Sequence, residues 1–166
     1  MSFESKKIPE FKKIQTLESV SKKDGSGIGY EDLIGIWKFN SVWKKGSEEI
    51  DKLSSSILQV LSAKLELKEN NSRNDSFNFV IKNSISFGIL TIIFCGKAFL
   101  KGTRPLLLFF FENLKINIGN FTIMKKSLKT PEEKLMPFFS LIAISEENKW
   151  MLARGKGGGL ASWIKS

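Results

Sequence analysis

The sequence contains no histidine. That removes the commonest metal ligand and the usual general base near neutral pH. Its single cysteine, Cys95, excludes an internal disulfide and any cysteine-cluster metal site. Cys95 sits in an apolar run, where a buried, inert thiol is expected. Arginine is scarce: Arg73, Arg104 and Arg154 are the three in 166 residues. Planar, bidentate phosphate reading relies on arginine, so no nucleic-acid partner is expected even though the net charge is +9. Long apolar runs are also lacking. The longest, Phe87–Gly96, stops at Lys97 and is too short to cross a bilayer as a helix. The first residues are polar and charged, unlike a secretory signal, so the expected location is cytoplasmic, with attachment to a membrane face as the alternative.

The carboxylate pairs Glu31-Asp32, Glu48-Glu49, Glu132-Glu133 and Glu146-Glu147 all fall in turns or at a helix start. They read as solvated or capping groups. No catalytic residue, metal site or cofactor is therefore expected.

What is present is apolar and β-rich. Hydrophobic residues make up 42% of the chain and 14 residues are Phe, which argues against disorder and supplies volume for a core or a greasy cavity. At this length one domain is expected. The surplus of lysine points to an anionic partner such as a lipid surface, although an AT-rich coding sequence yields the same surplus.

Residues 1–30 differ from the rest. Ile8, Phe11, Ile14, Leu17 and Val20 recur every three residues between lysines, which predicts a helix starting after Pro9 and fading by Lys22–Gly27. Such a helix either lies on an anionic membrane or closes an end of its own domain; the second is expected, because surface helices usually bury their stripe at home. Residues 31–166 form the main domain. Short alternating runs follow one another at turn-punctuated spacing: Leu33–Trp43, Ile57–Lys68, Phe77–Lys82, Ile85–Cys95, Lys97–Lys101, Leu106–Phe111, Leu114–Ile118, Phe121–Ile123, Phe138–Ser145, Trp150–Ala153 and Leu160–Ile164. They predict a mainly β fold, an antiparallel barrel of about eight to ten strands. Ile85–Cys95 and Leu106–Phe111 read as strands covered on both faces, and Gly88 and Gly96 allow the bends that closure demands. Thr130-Pro131-Glu132-Glu133 predicts one short helix near 130–136, ended by Pro137.

Gly35 stands two residues before Trp37 at the head of the first strand, and lacking a Cβ it lets a large side chain cross close over the backbone. Trp37 is expected at one end of the barrel with its indole N–H bonded, its ring covered by Arg154 from the Gly-rich turn Arg154-Gly155-Lys156-Gly157-Gly158-Gly159. That turn is not a phosphate loop, since no Ser or Thr follows its lysine; a tight hairpin is expected. A barrel of about eight strands holds at most one small ligand. Trp37, Phe79, Ile92, Phe94, Phe109, Phe111, Phe139 and Leu141 are the candidate lining, and its apolarity implies a lipid, carotenoid or quinone. The alternative is an interior filled by its own side chains.

With Leu33-Ile34-Gly35-Ile36-Trp37 at one end and Arg154-Gly155-Lys156-Gly157-Gly158 at the other, the chain resembles the plastid lipid-associated protein (fibrillin) family, including its cyanobacterial members. The stretch Gly96-Lys97-Ala98-Phe99-Leu100 before Pro105–Phe111 is similar as well. The resemblance implies a lipocalin-like barrel that binds hydrophobic molecules without catalysis at thylakoid or lipid-droplet membranes. Gly35, Trp37, Arg154, Gly155 and Gly158 carry over as the family's structural motif, and no catalytic residue does. No transit peptide precedes the domain, which implies a bacterial member. Phe39-Asn40-Ser41 replaces the usual aromatic-Thr-Ser continuation and leaves the subfamily and ligand open. A chromophore- or isoprenoid-handling enzyme on the same fold is the alternative function.

Overall fold

The computed structural model describes residues 8–72, 75–147 and 149–166, so Lys6, Lys7 and Arg73 lie outside the described residues. The elements run α1 (Phe11–Asp24), α2 (Tyr30–Leu33), β1 (Gly35–Trp43), α3 (Lys52–Val60), β2 (Lys64–Glu69), β3 (Phe79–Phe87), β4 (Leu90–Lys101), β5 (Leu106–Ile118), β6 (Phe121–Ser127), a 3₁₀ turn (Glu133–Leu135), β7 (Phe138–Ser145), β8 (Trp150–Gly155) and β9 (Leu160–Lys165). Among the described residues the strands form one antiparallel sheet in the order β4-β3-β2-β1-β9-β8-β7-β5-β6, and pairing of β4 with β5 closes eight of them into a barrel. No helix among the described residues is long and apolar enough to cross a membrane.

Strand alternation sorts the side chains. Trp37, Leu65, Leu67, Phe79, Ile81, Ala98, Leu107, Phe109, Leu141, Met151, Ala153 and Trp163 point inward and form one buried cluster. The interior is thus largely filled by its own side chains. One end is closed by the segment that precedes β1. There the Asp32 carboxylate accepts the Gly29 N–H at 2.7 Å and fixes α2, whose Tyr30 ring stacks on Phe79 at 4.6 Å.

The segment Lys52–Val60 is helical, not part of the strand expected over Ile57–Lys68. Asp51 decides this, since its carboxylate accepts the Ser54 N–H at 3.1 Å and its hydroxyl at 2.7 Å, an N-cap that alternation does not reveal. The helix expected near 130–136 contracts to the 3₁₀ turn, capped by Met136 and followed by Pro137. The run Ile85–Cys95 is no single covered strand either: Gly88, at φ +57°, and Ile89 form a two-residue turn that folds it into the β3–β4 hairpin. Leu106–Phe111 is covered on both faces as expected, Leu107 and Phe109 by the interior and Leu108 and Phe110 by Met136, Phe77, Phe99 and Phe138.

Helix α1 lies along the outer wall of the barrel and does not close an end. Its Ile14 joins Trp43, Ile142, Trp150, Leu152 and Leu160, all on the outer face. The buried positions of the helix are Ile14, Glu18 and Ser21, a spacing of four and then three. At 100° per residue, two steps of three carry Val20 about 120° away from Ile14, and Val20 is accordingly exposed.

The barrel ends where β5 gains one residue. Cys95 pairs with Asn113 but Gly96 with Phe111, leaving Glu112 as a bulge. Opposite it, a Cβ on Gly96 would lie 1.9 Å from the Phe110 carbonyl oxygen. Substitution Gly96→Ala is therefore expected to destabilise the fold by about 3 kcal/mol, the upper range for overpacking against backbone that cannot retreat, as read from urea unfolding; a loss under about 1 kcal/mol would show that the bulge yields.

Candidate functional site

Beyond the bulge, β3, β4 and β5 run past the barrel wall, joined by β6 on the far edge of β5. This four-stranded wing begins at the open end of the barrel. Its register places three rows on the face continuous with the barrel interior. The first is Asn83–Phe94–Leu114–Lys126, the second Ile85–Ile92–Ile116–Met124, and the tip row Phe87–Leu90–Ile118–Phe121. Directly opposed residues share a face of a sheet, so the wing has one apolar side. The opposite side carries Ser84, Ser86, Thr91, Lys115, Asn117, Thr122 and Lys125, with Ser86 and Thr91 hydrogen bonded at 3.2 Å.

At the foot of the wing the barrel retains a hollow of about 180 Å³. Phe39, Leu58, Leu65, Ile85, Phe139 and Trp163 line it, with Asn83 and Lys64 as its polar members. Helix α3 supplies Leu58, and the backbone just after α3 is tied to the wing by the Ser86 N–H, which donates to the Leu61 carbonyl at 2.6 Å. Drug-sized ligands occupy roughly 300–1,000 Å³. The hollow therefore admits the end of an apolar molecule, whose remainder has the wing face to lie on. A larger cleft of about 580 Å³ between the start of α1 and residues 48–52 combines Ile8, Phe11, Trp43 and Ile50 with the carboxylates of Glu10, Glu48 and Glu49.

The expected lining residues divide between these regions. Trp37, Phe79, Phe109 and Leu141 are buried in the filled interior. Phe139 lies at the hollow, stacked on Phe109 at 5.1 Å and edge-on to Trp163 at 5.3 Å. Phe111 sits at the transition, 5.3 Å from Phe94. Ile92 and Phe94 are half-buried on the wing. Ile85 belongs to the 85–95 run whose large residues were expected to line the cavity; Trp163 was not anticipated, nor was Leu58, because a helix placed beside the mouth leaves no mark in strand alternation. Cys95 is half-buried, on the wing's polar side. Comparison with protein-family models, curated proteins and solved structures finds no match to this chain.

The expected contact between Trp37 and Arg154 is not made. Trp37 points inward and pairs with Lys165 on β9, whereas Arg154 points outward and pairs with Leu160. Five residues of strand separate those partners, about 16 Å. The cation over Trp37 is Lys165, its Nζ 5.0 Å from the ring centroid and 3.3 Å from the Asp32 carbonyl. Gly35, at φ +139°, is what admits it, for a Cβ there would lie 2.8 Å from Lys165 Cε. The indole N–H does find its partner, donating to the Leu33 carbonyl at 2.8 Å. The Arg154 turn is the expected tight hairpin: the Gly155 N–H donates to Gly159 O at 2.9 Å, and Gly158 takes φ +90°.

Arg154 instead clamps α1. Its Nε and Nη2 donate to the two carboxylate oxygens of Glu18 at 2.8 and 2.7 Å, and Nη1 donates to the Gly158 carbonyl at 2.7 Å. Lys22 and Arg104 approach the same carboxylate at 3.4 and 3.8 Å. Hydrogen bonding and charge from Arg154, outweighing the burial that opposes them, hold the Glu18 carboxyl below the usual carboxylate range. Beside it Ser21 donates to the Leu141 carbonyl at 3.2 Å, next to the β7 bulge. Among the described residues no cluster of three or more His, Cys, Asp or Glu is placed to hold a metal.

A carboxyl whose pKa is lowered by folding contributes stability above its unfolded value, and that contribution is lost as pH falls through the folded one. Glu18→Gln is expected to cost about 2 kcal/mol at neutral pH, between the values for buried and exposed pairs because Arg154 keeps some contact with water. The gap between variant and parent in urea denaturation should close as pH is lowered below the carboxylate range. A gap independent of pH would show that the clamp acts through shape alone.

Proposed function

We propose that this protein is a non-enzymatic binder of a lipid-like molecule, which it takes at the open end of the barrel and supports along the apolar face of the wing. The observation that carries this reading is an uncovered apolar surface that continues, strand by strand, from a hollow in the barrel wall. Ile85 borders the hollow and is in register with Ile92, Ile116 and Met124 outside it. A filled interior disfavours engulfment of a whole carotenoid or quinone and favours an elongated molecule inserted by one end. The hollow offers no carboxylate or thiol for acid–base or nucleophilic chemistry, which speaks for binding over turnover. Arg104 and Arg154 are both turned to Glu18, leaving neither for a polyanion. The resemblance to the plastid lipid-associated family agrees with a hydrophobic ligand and adds photosynthetic membranes as the setting.

Titration with the fluorescent fatty acid parinaric acid tests this. Binding is expected for the parent protein, with energy transfer from Trp163 at the hollow. The double substitution Ile85→Asp/Ile92→Asp should weaken it at least tenfold, since each change sets a charge against the apolar chain. Thr91→Asp, on the polar side, should leave it unchanged. Equal binding by parent and double variant would exclude the mouth and wing as the site.

A further inference from the structure

The tip of the wing is the most exposed apolar feature of the fold. Two tight hairpins end there side by side, Phe87-Gly88-Ile89-Leu90 and Ile118-Gly119-Asn120-Phe121, joined by the Gly119 N–H donating to the Ile89 carbonyl at 2.8 Å. Phe87 is 65% exposed, Ile89 71%, Phe121 78% and Ile123 58%. Apolar side chains gathered at a protruding tip indicate a surface that is covered in use.

Charge identifies the cover. Residues 82–94 and 113–129, which comprise the wing, contain five lysines and no carboxylate. Lys82 is drawn toward Glu66 at 3.7 Å; the other four, Lys115, Lys125, Lys126 and Lys129, belong to β5, β6 and the residues just after it. Lys115 stands three residues from the Ile118 tip, about 10 Å along the strand. Elements that lie in a membrane interface sink about 5–10 Å below the headgroups, so with the tip immersed Lys115 and its cross-strand partner Lys125 would lie level with anionic headgroups.

We propose that the wing docks on an anionic lipid bilayer, with the two hairpin tips in the interface and the β5–β6 lysines on the headgroups. Helix α1, for which a membrane face was the alternative reading, is poorly placed for this because its Phe11, Ile14 and Leu17 are packed on its own barrel. A second copy of the chain fits the surface less well, since two lysine-rich wings free of carboxylates repel, and Lys125 and Lys126 guard the β6 edge. Docking sets the apolar rows of the wing as a path between the bilayer and the barrel mouth. In this sense the inference extends the lipid-binding reading, but the docking itself does not depend on it.

Flotation with vesicles of phosphatidylcholine plus phosphatidylglycerol, compared with pure phosphatidylcholine, tests the proposal. The parent is expected to bind the anionic vesicles preferentially and to be released by salt. Phe87→Ser/Phe121→Ser, at exposed positions, should melt like the parent and bind at least tenfold more weakly. Each lysine lost should lower binding about fivefold, and Lys115→Glu/Lys125→Glu, both on the polar side, by more, with parinaric acid binding intact in vesicle-free solution. A fluorophore on Ile89→Cys, in a Cys95→Ser background, should shift to the blue with anionic vesicles. Equal binding by parent and tip variant, or indifference to phosphatidylglycerol, would overturn the docking proposal whatever the parinaric acid result. So would a parent dimer that the tip substitutions dissociate, which would assign the surface to a second copy.

Discussion

One extra residue in β5 sets what faces the open end of this barrel. Up to Phe111 the inward positions are odd-numbered; after the bulge at Glu112 they are even-numbered, and Leu114, Ile116 and Ile118 continue the face that Leu107 and Phe109 begin. Because side chains alternate with a period of two, a β5 without the bulge would turn all three to the other side of the wing. Gly96 makes the bulge affordable, since β4 there approaches the Phe110 carbonyl closer than any side chain permits. Lys97 faces Glu112 at 3.8 Å and Asp75 at 2.6 Å, so the bulged residue's charge has a partner outside the wall.

The fold treats its three apolar surfaces differently. The interior is packed by its own aromatic and aliphatic side chains. The outer wall of β7, β8 and β9 would expose Trp150, Leu152 and Leu160 but is covered by α1. The wing is left bare over its tip row, although a chain able to clamp one helix in place by a bidentate ion pair has the means to cover another surface. That difference in treatment sets the wing apart from the other two surfaces.

The sequence made the local features legible and the long-range ones not. Strand after strand could be read from alternation, the Arg154–Gly159 hairpin from its glycines, and the two-sided cover of Leu106–Phe111 from its unbroken apolar run. Gly35 was rightly read as a place where a large side chain crosses the backbone, but that side chain is Lys165. Register decides such questions, and register depends on pairing between segments far apart in the chain. The same holds for Glu18, which a spacing of three hid among lysines while its partner lies 136 residues away. At Gly88 the apolar run conceals a turn, because hydrophobicity without polar punctuation looks the same in a strand and in an exposed hairpin tip.

The seating of α1 also bears on how the molecule is made. Its stripe packs on β7, β8 and β9 and its carboxylate on Arg154, 136 residues further along the chain, and β1 likewise completes its pairing only with β9. Contacts of such sequence separation form slowly. During synthesis α1 therefore emerges well before the outer wall it covers, and its apolar stripe stays unpaired until β7, β8 and β9 follow.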